Sequence, residues 1–272
     1  MSDHMSDRSS AIYCVPFARD VGSPTGYMDW TRASAQSCEP FGVIPCGLGH
    51  SRATMASQSD RAYAAGFKEI ERRGTPKSGR AHPTVSATAV TLRFDLGDEF
   101  PLLEHKRVPF RHVHTELAWF LSGSTHVGWL QRRKVSIWND DAAKAKERGF
   151  DYPEGELGPV YGEQWRRWGP GDLDQIRRLI DGIKANPLSR RHVVSAWNPS
   201  DVDKMVLPPC HLLWQVLIDD GGRMDLALTM RSCDYGLGIP FNVASYALLL
   251  ELIARETGHV ALELCVTIND SH

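Results

Sequence analysis

Apolar residues recur at helical spacing in four segments of the chain. In SDRAYAAGFKEIERRG, Tyr63, Phe67 and Ile70 fall at positions i, i+4 and i+7. This spacing predicts an amphipathic helix that is closed by Gly74. The segment HVHTELAWFLSG predicts a second helix that also ends at a glycine.

The third helical segment is LDQIRRLIDGIKANP, which should stop at Asn186-Pro187. Its predicted apolar face consists of Leu173, Ile176, Ile180 and Ile183. The fourth segment, VASYALLLELIARETG, is apolar around most of its circumference, which predicts a helix buried on most sides.

Four other segments show the features of β-strands. TVSATAVTLRFDL alternates and is rich in β-branched residues, and RRHVVSAWN and LELCVTIND are similar. LLWQVLIDDGGRMDLALTM predicts two strands around a Gly-Gly turn. We interpret TPKSGRAHPT as a loop and DDAAKAKERGFDYPEGE as a surface excursion. Helices and strands are interspersed without strict alternation, which predicts an α+β fold with one large mixed sheet.

Composition narrows the class of protein. The chain has 272 residues, 42% hydrophobic residues and a formal charge of −2, so neither a membrane nor a nucleic acid is an expected partner. The six cysteines are scattered without a CxxC motif, which argues against a structural zinc site or disulfides and predicts a cytoplasmic protein. Residues 1–58 are rich in Ser, Gly, Pro and Ala, and we expect a flexible or loosely ordered leader before a catalytic domain spanning 59–272.

Cys210, in LPPCHLLWQV, is a candidate nucleophile. Two prolines stiffen its approach and a strand follows at once, so its side chain should sit at the edge of that strand. A buried cysteine is usually an inert small hydrophobe, but a thiolate forms more readily beside cations. Arg190, Arg191 and Arg231 are the candidate cations in the neighbouring motifs, and such guanidinium groups also suit phosphate binding.

Three further side chains could act on a substrate. Glu116 lies within an apolar helical segment, so it is either on the wet face or buried with a raised pKa. Tyr161 and His211 are acid–base candidates, although adjacent strand residues point to opposite faces and a Cys210–His211 dyad is therefore disfavoured. Asn242 is either a helix N-cap or a reader of a pyrimidine edge, and its amide could suit uracil or, flipped, cytosine.

These motifs together resemble the thymidylate synthase family. The resemblance covers about residues 59–272 and rests on FPLLEHKR, ELAWFLSG, SIW, GELGPVYGEQWRRW, DQI, SRRHVVSAWN, DKMVLPPCH and RSCDYGLGIPFNVASYALL. It implies a large twisted sheet flanked by helices, with the sheet packing in a homodimer. It also implies transfer of a one-carbon unit from 5,10-methylenetetrahydrofolate to C5 of a pyrimidine nucleoside monophosphate, without a metal.

The resemblance implies a role for each matching residue. Cys210 would add to C6 of the pyrimidine, Glu116 would organise proton transfers, and Tyr161 would help remove the C5 proton through water. The other implied catalytic residues are Asp234 and Asn242. The implied nucleotide-binding residues are Arg231, Ser232, Arg80, Gln215, His272 and, from the partner subunit, Arg190 and Arg191. The implied folate-binding residues are Trp138, Asp234, Gly238 and Lys106.

The sequence departs from the family pattern in two places. The first phosphate loop of the family has two glycines that GRAHPTVS lacks, which weakens the assignment of Arg80. The chain ends at NDSH, before the family's C-terminal lid, so we expect that lid to be absent. A lid excludes water from the reaction, and three functions therefore stay open: methylation of dUMP to dTMP, 5-hydroxymethylation of dUMP or (d)CMP, and non-catalytic binding of nucleotide or RNA.

Overall fold

The structure, a computed structural model, describes residues 57–79 and 82–272. Within these residues the helices are α1 Gln58–Arg73, α2 Phe110–Leu121, α3 Gly128–Gln131, α4 Asn139–Ala143, α5 Tyr161–Arg166, α6 Gln175–Ala185 and α7 Gly238–Thr257. The strands are β1 Thr75–Ser78, β2 Pro83–Asp95, β3 Val193–Ser195, β4 His211–Ile218, β5 Arg223–Met230 and β6 Val260–Ser271.

The six strands form one sheet in the order β1-β2-β6-β5-β4-β3. Strands β5 and β6 are parallel and the other neighbouring pairs are antiparallel. The predicted α+β class with a large mixed sheet is confirmed. The crossover α7 connects β5 to β6, as a parallel pair requires.

One face of the sheet carries the hydrophobic core. Alternate residues of the central strands are buried there, among them Leu228, Trp214 and Val266. Helix α7 covers this face with Val243, Ala247 and other buried side chains. The prediction that α7 is buried on most sides is confirmed, and its burial holds the loop before it firmly against the sheet.

The opposite face of the sheet is not covered by a described element of the chain. Cross-strand neighbours place Val193, Gln215, Ala227, Cys265 and Arg93 in one row across this face. We call this the outer sheet face. Apolar side chains on this face are exposed. Val193 is 42% exposed, and Leu213 and Leu217, which lie two residues before and after Gln215 on β4, are 37% and 39% exposed.

The structure corrects two of the sequence predictions and adds detail to a third. TPKS, which we predicted to be part of a loop, is strand β1 paired with β2. Leu173 precedes α6 and is exposed, so the buried face of that helix consists of Ile176, Leu179, Ile180 and Ile183. The stretch predicted as a surface excursion contains α4 and is anchored where Arg148 donates to the carbonyl of Val206.

The predicted boundary between leader and domain falls at the first turn of α1. Ser57 caps this helix by accepting a hydrogen bond from the backbone N–H of Asp60. Residues 1–56, which contain nearly all of the predicted leader, lie outside the described residues. In the part of the chain that the structure describes, none of the helices combines the length and apolar character needed to cross a bilayer.

Candidate active site

Cys210 is the last residue before β4, so it lies at the end of that strand, in agreement with the prediction. Its sulfur is 3.7 Å from Nη2 of Arg231. The strand partner β5 brings Arg231 to this position, since the backbone N–H of Arg231 donates to the carbonyl of Cys210. A guanidinium this close favours the thiolate over the thiol, and the thiolate is the form that attacks carbon.

The guanidinium of Arg231 is held by backbone oxygens. Nε donates to the carbonyl of Pro209 at 2.8 Å and Nη2 to that of Pro208 at 2.9 Å. Prolines have no N–H, so these carbonyls belong to a segment that cannot pair as a regular strand. The Pro-Pro pair therefore both presents Cys210 and orients the cation beside it.

Tyr161, the first residue of α5, fixes the backbone at the nucleophile. Its hydroxyl oxygen accepts a hydrogen bond from the backbone N–H of Cys210 at 2.7 Å and a longer one from His211 at 3.4 Å. Burial raises the pKa of Tyr161 well above its usual value of 10.0, so the group is a phenol and keeps a hydrogen to donate. That hydrogen is available to a substrate or a water molecule.

Glu116 projects from α2 into the same region. Burial raises the pKa of its carboxyl to about 7, while a hydrogen bond from the indole of Trp138 opposes that rise. The Nε1–Oε1 distance of this bond is 2.6 Å. The sequence left open a wet face or burial with a raised pKa. Glu116 is partly buried, and its raised pKa agrees with the second alternative. A carboxyl with a pKa near neutrality can both accept and return a proton.

An aromatic floor lies beneath these groups. Phe120 stacks on Tyr161 with a centroid distance of 4.6 Å, and Trp138 meets Tyr161 edge to face at 6.1 Å. His211 lies between Tyr161 and Tyr246, with its ring centroid 5.2 Å from each. The low polarity of this floor is the physical cause of the raised pKa of Glu116.

Two buried atoms of the floor lack hydrogen-bond partners within residues 57–79 and 82–272. They are Nδ1 of His211 and the hydroxyl of Tyr246. Burial lowers the pKa of His211 to about 4, with a hydrogen bond to Asn242 opposing, so the ring is neutral. A neutral ring cannot activate Cys210 as a charged partner would, which agrees with the prediction that the two residues do not form a dyad.

The segment from Arg231 to Asn242 forms the opposite wall. Asp234 accepts a hydrogen bond from the backbone N–H of Leu237 at 2.8 Å and its side chain is exposed. The helix α7 begins at Gly238, so Asn242 lies inside the first turns of the helix. The N-cap alternative for Asn242 is therefore wrong. Its Nδ2 lies 3.4 Å from the sulfur of Cys233.

Comparison with known proteins gives a consistent result. A family model described as thymidylate synthase matches residues 61–272. A thymidylate synthase of Corynebacterium aurimucosum is 44% identical over 222 residues, covering 80% of this chain and 79% of that protein. A thymidylate synthase of Mesoplasma florum is 41% identical over 233 residues, covering 78% of this chain and 80% of that protein.

The chain belongs to the thymidylate synthase family. The predicted family is thereby confirmed, and the match begins within α1, close to the predicted start of the catalytic domain. Members of this family are one-carbon transferases, so the groups around Cys210 are candidates for such an active site.

Several other residues predicted from the family resemblance lie beside this site. Lys106 donates to the carbonyl of Gly236 in the wall segment. The backbone of His272 pairs with Cys233 and Tyr235, and its ring is 3.4 Å from Asp270. Ser232, directly after Arg231, is partly buried. Their predicted contacts with nucleotide or folate stay predictions.

Three predicted residues lie elsewhere in the subunit. Gln215 is on the outer sheet face, where its amide donates to the carbonyl of Arg190 at 3.0 Å. It is five positions along β4 from Cys210, or about 17 Å at the usual strand rise. Arg190 and Arg191 are exposed at this far end of β4, so they do not serve the Cys210 of their own chain. Arg80 lies outside the described residues.

Sequence reasoning missed two residues of the site. Cys233 looked like any scattered cysteine, and Tyr246 like a core residue of an apolar helix. The signal that could have found Cys233 is its place in the motif between Ser232 and Asp234. Within the described ranges, no group of three His, Cys, Asp or Glu side chains is arranged to hold a metal ion.

Proposed function

We propose that this enzyme converts dUMP to dTMP, with 5,10-methylenetetrahydrofolate as the source of carbon and dihydrofolate as the by-product. The observation that carries the proposal is the position of the Cys210 sulfur, 3.7 Å from Nη2 of Arg231, next to the hydroxyl of Tyr161. Membership of the thymidylate synthase family and the names of both relatives support it.

Cys210 begins the reaction as a thiolate. Its sulfur forms a bond to C6 of the uracil, and the electron pair of the C5–C6 double bond moves toward C5 and O4. Arg231 stabilises the negatively charged sulfur before the attack. Its guanidinium is held in place because it donates hydrogen bonds to the carbonyls of Pro208 and Pro209. Alkylation at C5 follows, and the sulfur leaves again in the last step as the double bond reforms.

Glu116 and Tyr161 move the protons of the reaction. With a pKa near 7, Glu116 can donate to the oxygen that gains negative charge at O4 and take the proton back later. The phenol of Tyr161 holds a hydrogen beside Cys210 and can order a water molecule that receives the C5 proton. Both groups are more effective because the aromatic floor excludes bulk water.

The wall and the floor together have the chemistry that a folate needs. In the wall, the exposed carboxylate of Asp234 can accept hydrogen bonds from ring N–H groups, and in the floor the largely buried Trp138 supplies an apolar aromatic ring. Lys106 supplies positive charge at the Gly236 carbonyl, where the acidic tail of a folate would extend. When bound, the folate supplies the methylene carbon and the hydride that reduces it.

We further propose that the enzyme acts as a homodimer joined through the outer sheet face. The exposed Leu213 and Leu217 on that face are apolar surface that a second copy would cover. Arg190 and Arg191 lie at the edge of the same face, far from their own Cys210. A partner placed there would give both arginines access to the phosphate in the other subunit's site, where Arg231 and Ser232 are the local phosphate ligands.

The product identifies the reaction. The purified enzyme is incubated with dUMP and 5,10-methylenetetrahydrofolate, and mass spectrometry of the nucleotide distinguishes a methyl from a hydroxymethyl group. We expect dTMP together with dihydrofolate detected by its absorbance. A hydroxymethyl nucleotide with tetrahydrofolate would replace the proposal by hydroxymethylation, and no product in the presence of tight nucleotide binding would support a binding protein.

A further inference from the structure

The amide of Asn242 could present either of two patterns to a base. With its oxygen toward N3 and its nitrogen toward O4 it suits uracil, because uracil N3–H donates and O4 accepts. Rotated by half a turn it suits cytosine, which has the reverse pattern. Something in the protein must therefore decide which way the amide lies, and that group decides the base.

Cys233 is placed to make this decision. Its sulfur is 3.4 Å from Nδ2 of Asn242 and 3.3 Å from the carbonyl oxygen of Asp234. A carbonyl can only accept, so the thiol hydrogen of Cys233 is directed to Asp234. The sulfur then presents only lone pairs to Asn242, and it can accept from Nδ2 but has no hydrogen for Oδ1.

The sulfur is also fixed in position. A Cβ on Gly238 would lie 2.6 Å from it and 3.5 Å from Nδ2 of Asn242. The absence of a side chain at Gly238 therefore makes the room in which sulfur and amide meet. Cys233 itself is buried, with 6% of its surface exposed, so water does not compete for the contact.

His211 also forms a hydrogen bond with the side chain of Asn242, and this bond favours the protonated imidazole. With Nδ2 donating to Cys233, Oδ1 is the atom of the amide that can accept from a ring N–H. An amide oxygen has two lone pairs and an amide nitrogen two hydrogens. With one of each used by His211 and Cys233, one lone pair and one hydrogen remain, and together they match N3–H and O4 of uracil.

We propose that Cys233 is a positioning residue that sets the orientation of the Asn242 amide and thereby the preference for uracil over cytosine nucleotides. The inference rests on the proposed function for the identity of the ligand. A flipped amide would set Oδ1 against sulfur lone pairs, and this repulsion excludes the arrangement that cytosine needs.

The test measures Kd for dUMP and for dCMP by calorimetry in the wild type and in two variants. In Cys233→Ala the amide loses its fixed acceptor, and we expect the dUMP preference to fall about fivefold to tenfold, the size of one lost hydrogen bond. Cys233→Ser keeps one donor and two lone pairs and should retain most of the preference. General damage to the site would weaken both nucleotides together and leave their ratio unchanged.

A second set of variants, made in the Asn242→Asp protein, distinguishes a positioning role of Cys233 from a general packing role. In Asn242→Asp the carboxylate has two equivalent oxygens, so there is no orientation left for Cys233 to set. Adding Cys233→Ala to that variant should then change the ratio by less than about twofold. The inference is overturned if Cys233→Ala leaves the ratio of the otherwise wild-type enzyme unchanged, or if it shifts the ratio equally in both backgrounds.

The same preparations distinguish this inference from the proposed function. Turnover of dUMP by the wild type tests the function, whereas the binding ratio does not require turnover. A wild type that binds dUMP in preference to dCMP but forms no dTMP would contradict the function alone. A wild type that forms dTMP, with an unchanged ratio in Cys233→Ala, would contradict the role of Cys233 alone.

Discussion

The indole Nε1 of Trp138 donates to Oε1 of Glu116 across 2.6 Å, and this bond lowers the pKa of the carboxyl that we propose moves protons in the reaction. Burial alone would raise the pKa of Glu116 further, and the indole opposes that rise, leaving it at about 7. The residue that flanks the predicted folate surface therefore also controls when Glu116 ionises.

Removing the indole N–H should move the pH dependence of catalysis. In Trp138→Phe the carboxylate loses the donor that stabilises it, so the pKa of Glu116 should rise above about 7. The limb of the kcat/KM profile that reports Glu116 should shift toward higher pH. Trp129→Phe is the control, because that indole packs against Arg133 instead. A limb that stays in place or moves to lower pH would contradict this assignment.

Glu116 should also make stability depend on pH. Its pKa in the folded protein, about 7, is above its ordinary value of 4.5, so the unfolded chain loses this proton first as the pH rises. Stability should therefore fall between pH 4.5 and 7 and the loss should level off above 7. Glu116→Gln removes the loss, on the order of 3 kcal/mol, which denaturant titrations across this range would measure.

Replacing the nucleophile should separate chemistry from binding. Cys210→Ala removes the sulfur that bonds to C6, and we expect kcat to fall about a thousandfold or more. The Kd for dUMP should change little, because Arg231 keeps its partners on Pro208 and Pro209. Cys38→Ala, at a cysteine that precedes the residues matched by the family model, is the matched cysteine control. Turnover of the Cys210 variant near the wild-type rate would show that another group is the nucleophile.

The proposed sharing of arginines between two subunits predicts that two inactive variants restore activity when they form mixed dimers. Cys210→Ala lacks a nucleophile, and the double variant Arg190→Ala, Arg191→Ala lacks the arginines given to the partner. Mixed dimers contain one intact site, so unfolding and refolding an equal mixture should restore about a quarter of the wild-type activity. Refolding each variant alone is the control. Activity no higher than the sum of the two separate enzymes would contradict the exchange of arginines.

Asp60 should stabilise the domain within a limited pH range. Its buried carboxylate accepts hydrogen bonds from the backbone N–H of Glu104 at 3.2 Å and of His105 at 3.4 Å, and lies 3.0 Å from Nδ1 of His105. Asp60→Ala leaves these donors unpaired and should cost about 1–3 kcal/mol in denaturant titrations. Asp151→Ala, at an exposed aspartate, is the control.

The loss of stability in Asp60→Ala should depend on pH through the pKa values of both Asp60 and His105. Burial acts to raise the pKa of Asp60, but hydrogen bonds from His105 and its neighbours outweigh it and lower the pKa below 3.8. This contribution is lost only as the pH falls through that lowered value. Asp60 in turn raises the pKa of His105 above 6.5, so the contribution of the charged imidazole is lost as the pH rises through the raised value. A cost that grows at alkaline pH would contradict the pair.

Most long elements were predictable because each depends on a local pattern. The apolar spacing in α1 and α6, the alternation in β2 and the Gly-Gly turn between β4 and β5 can each be read within about twenty residues. Strand β1 was missed because TPKS is short, polar and contains a proline, and only its pairing with β2 makes it a strand. The short α3, α4 and α5 were missed because they are too brief to show a helical period.

The family could be identified from the sequence, and Cys210 could be proposed as the nucleophile, because both follow from motifs in a fixed order along the chain. The protonation and orientation of each side chain depend on the tertiary structure. The pKa of Glu116 depends on aromatic rings from α2, α5 and the segment before α4, and the orientation of Asn242 depends on Cys233 and His211. Burial and hydrogen-bond direction arise between segments distant in sequence, so no local pattern contains them.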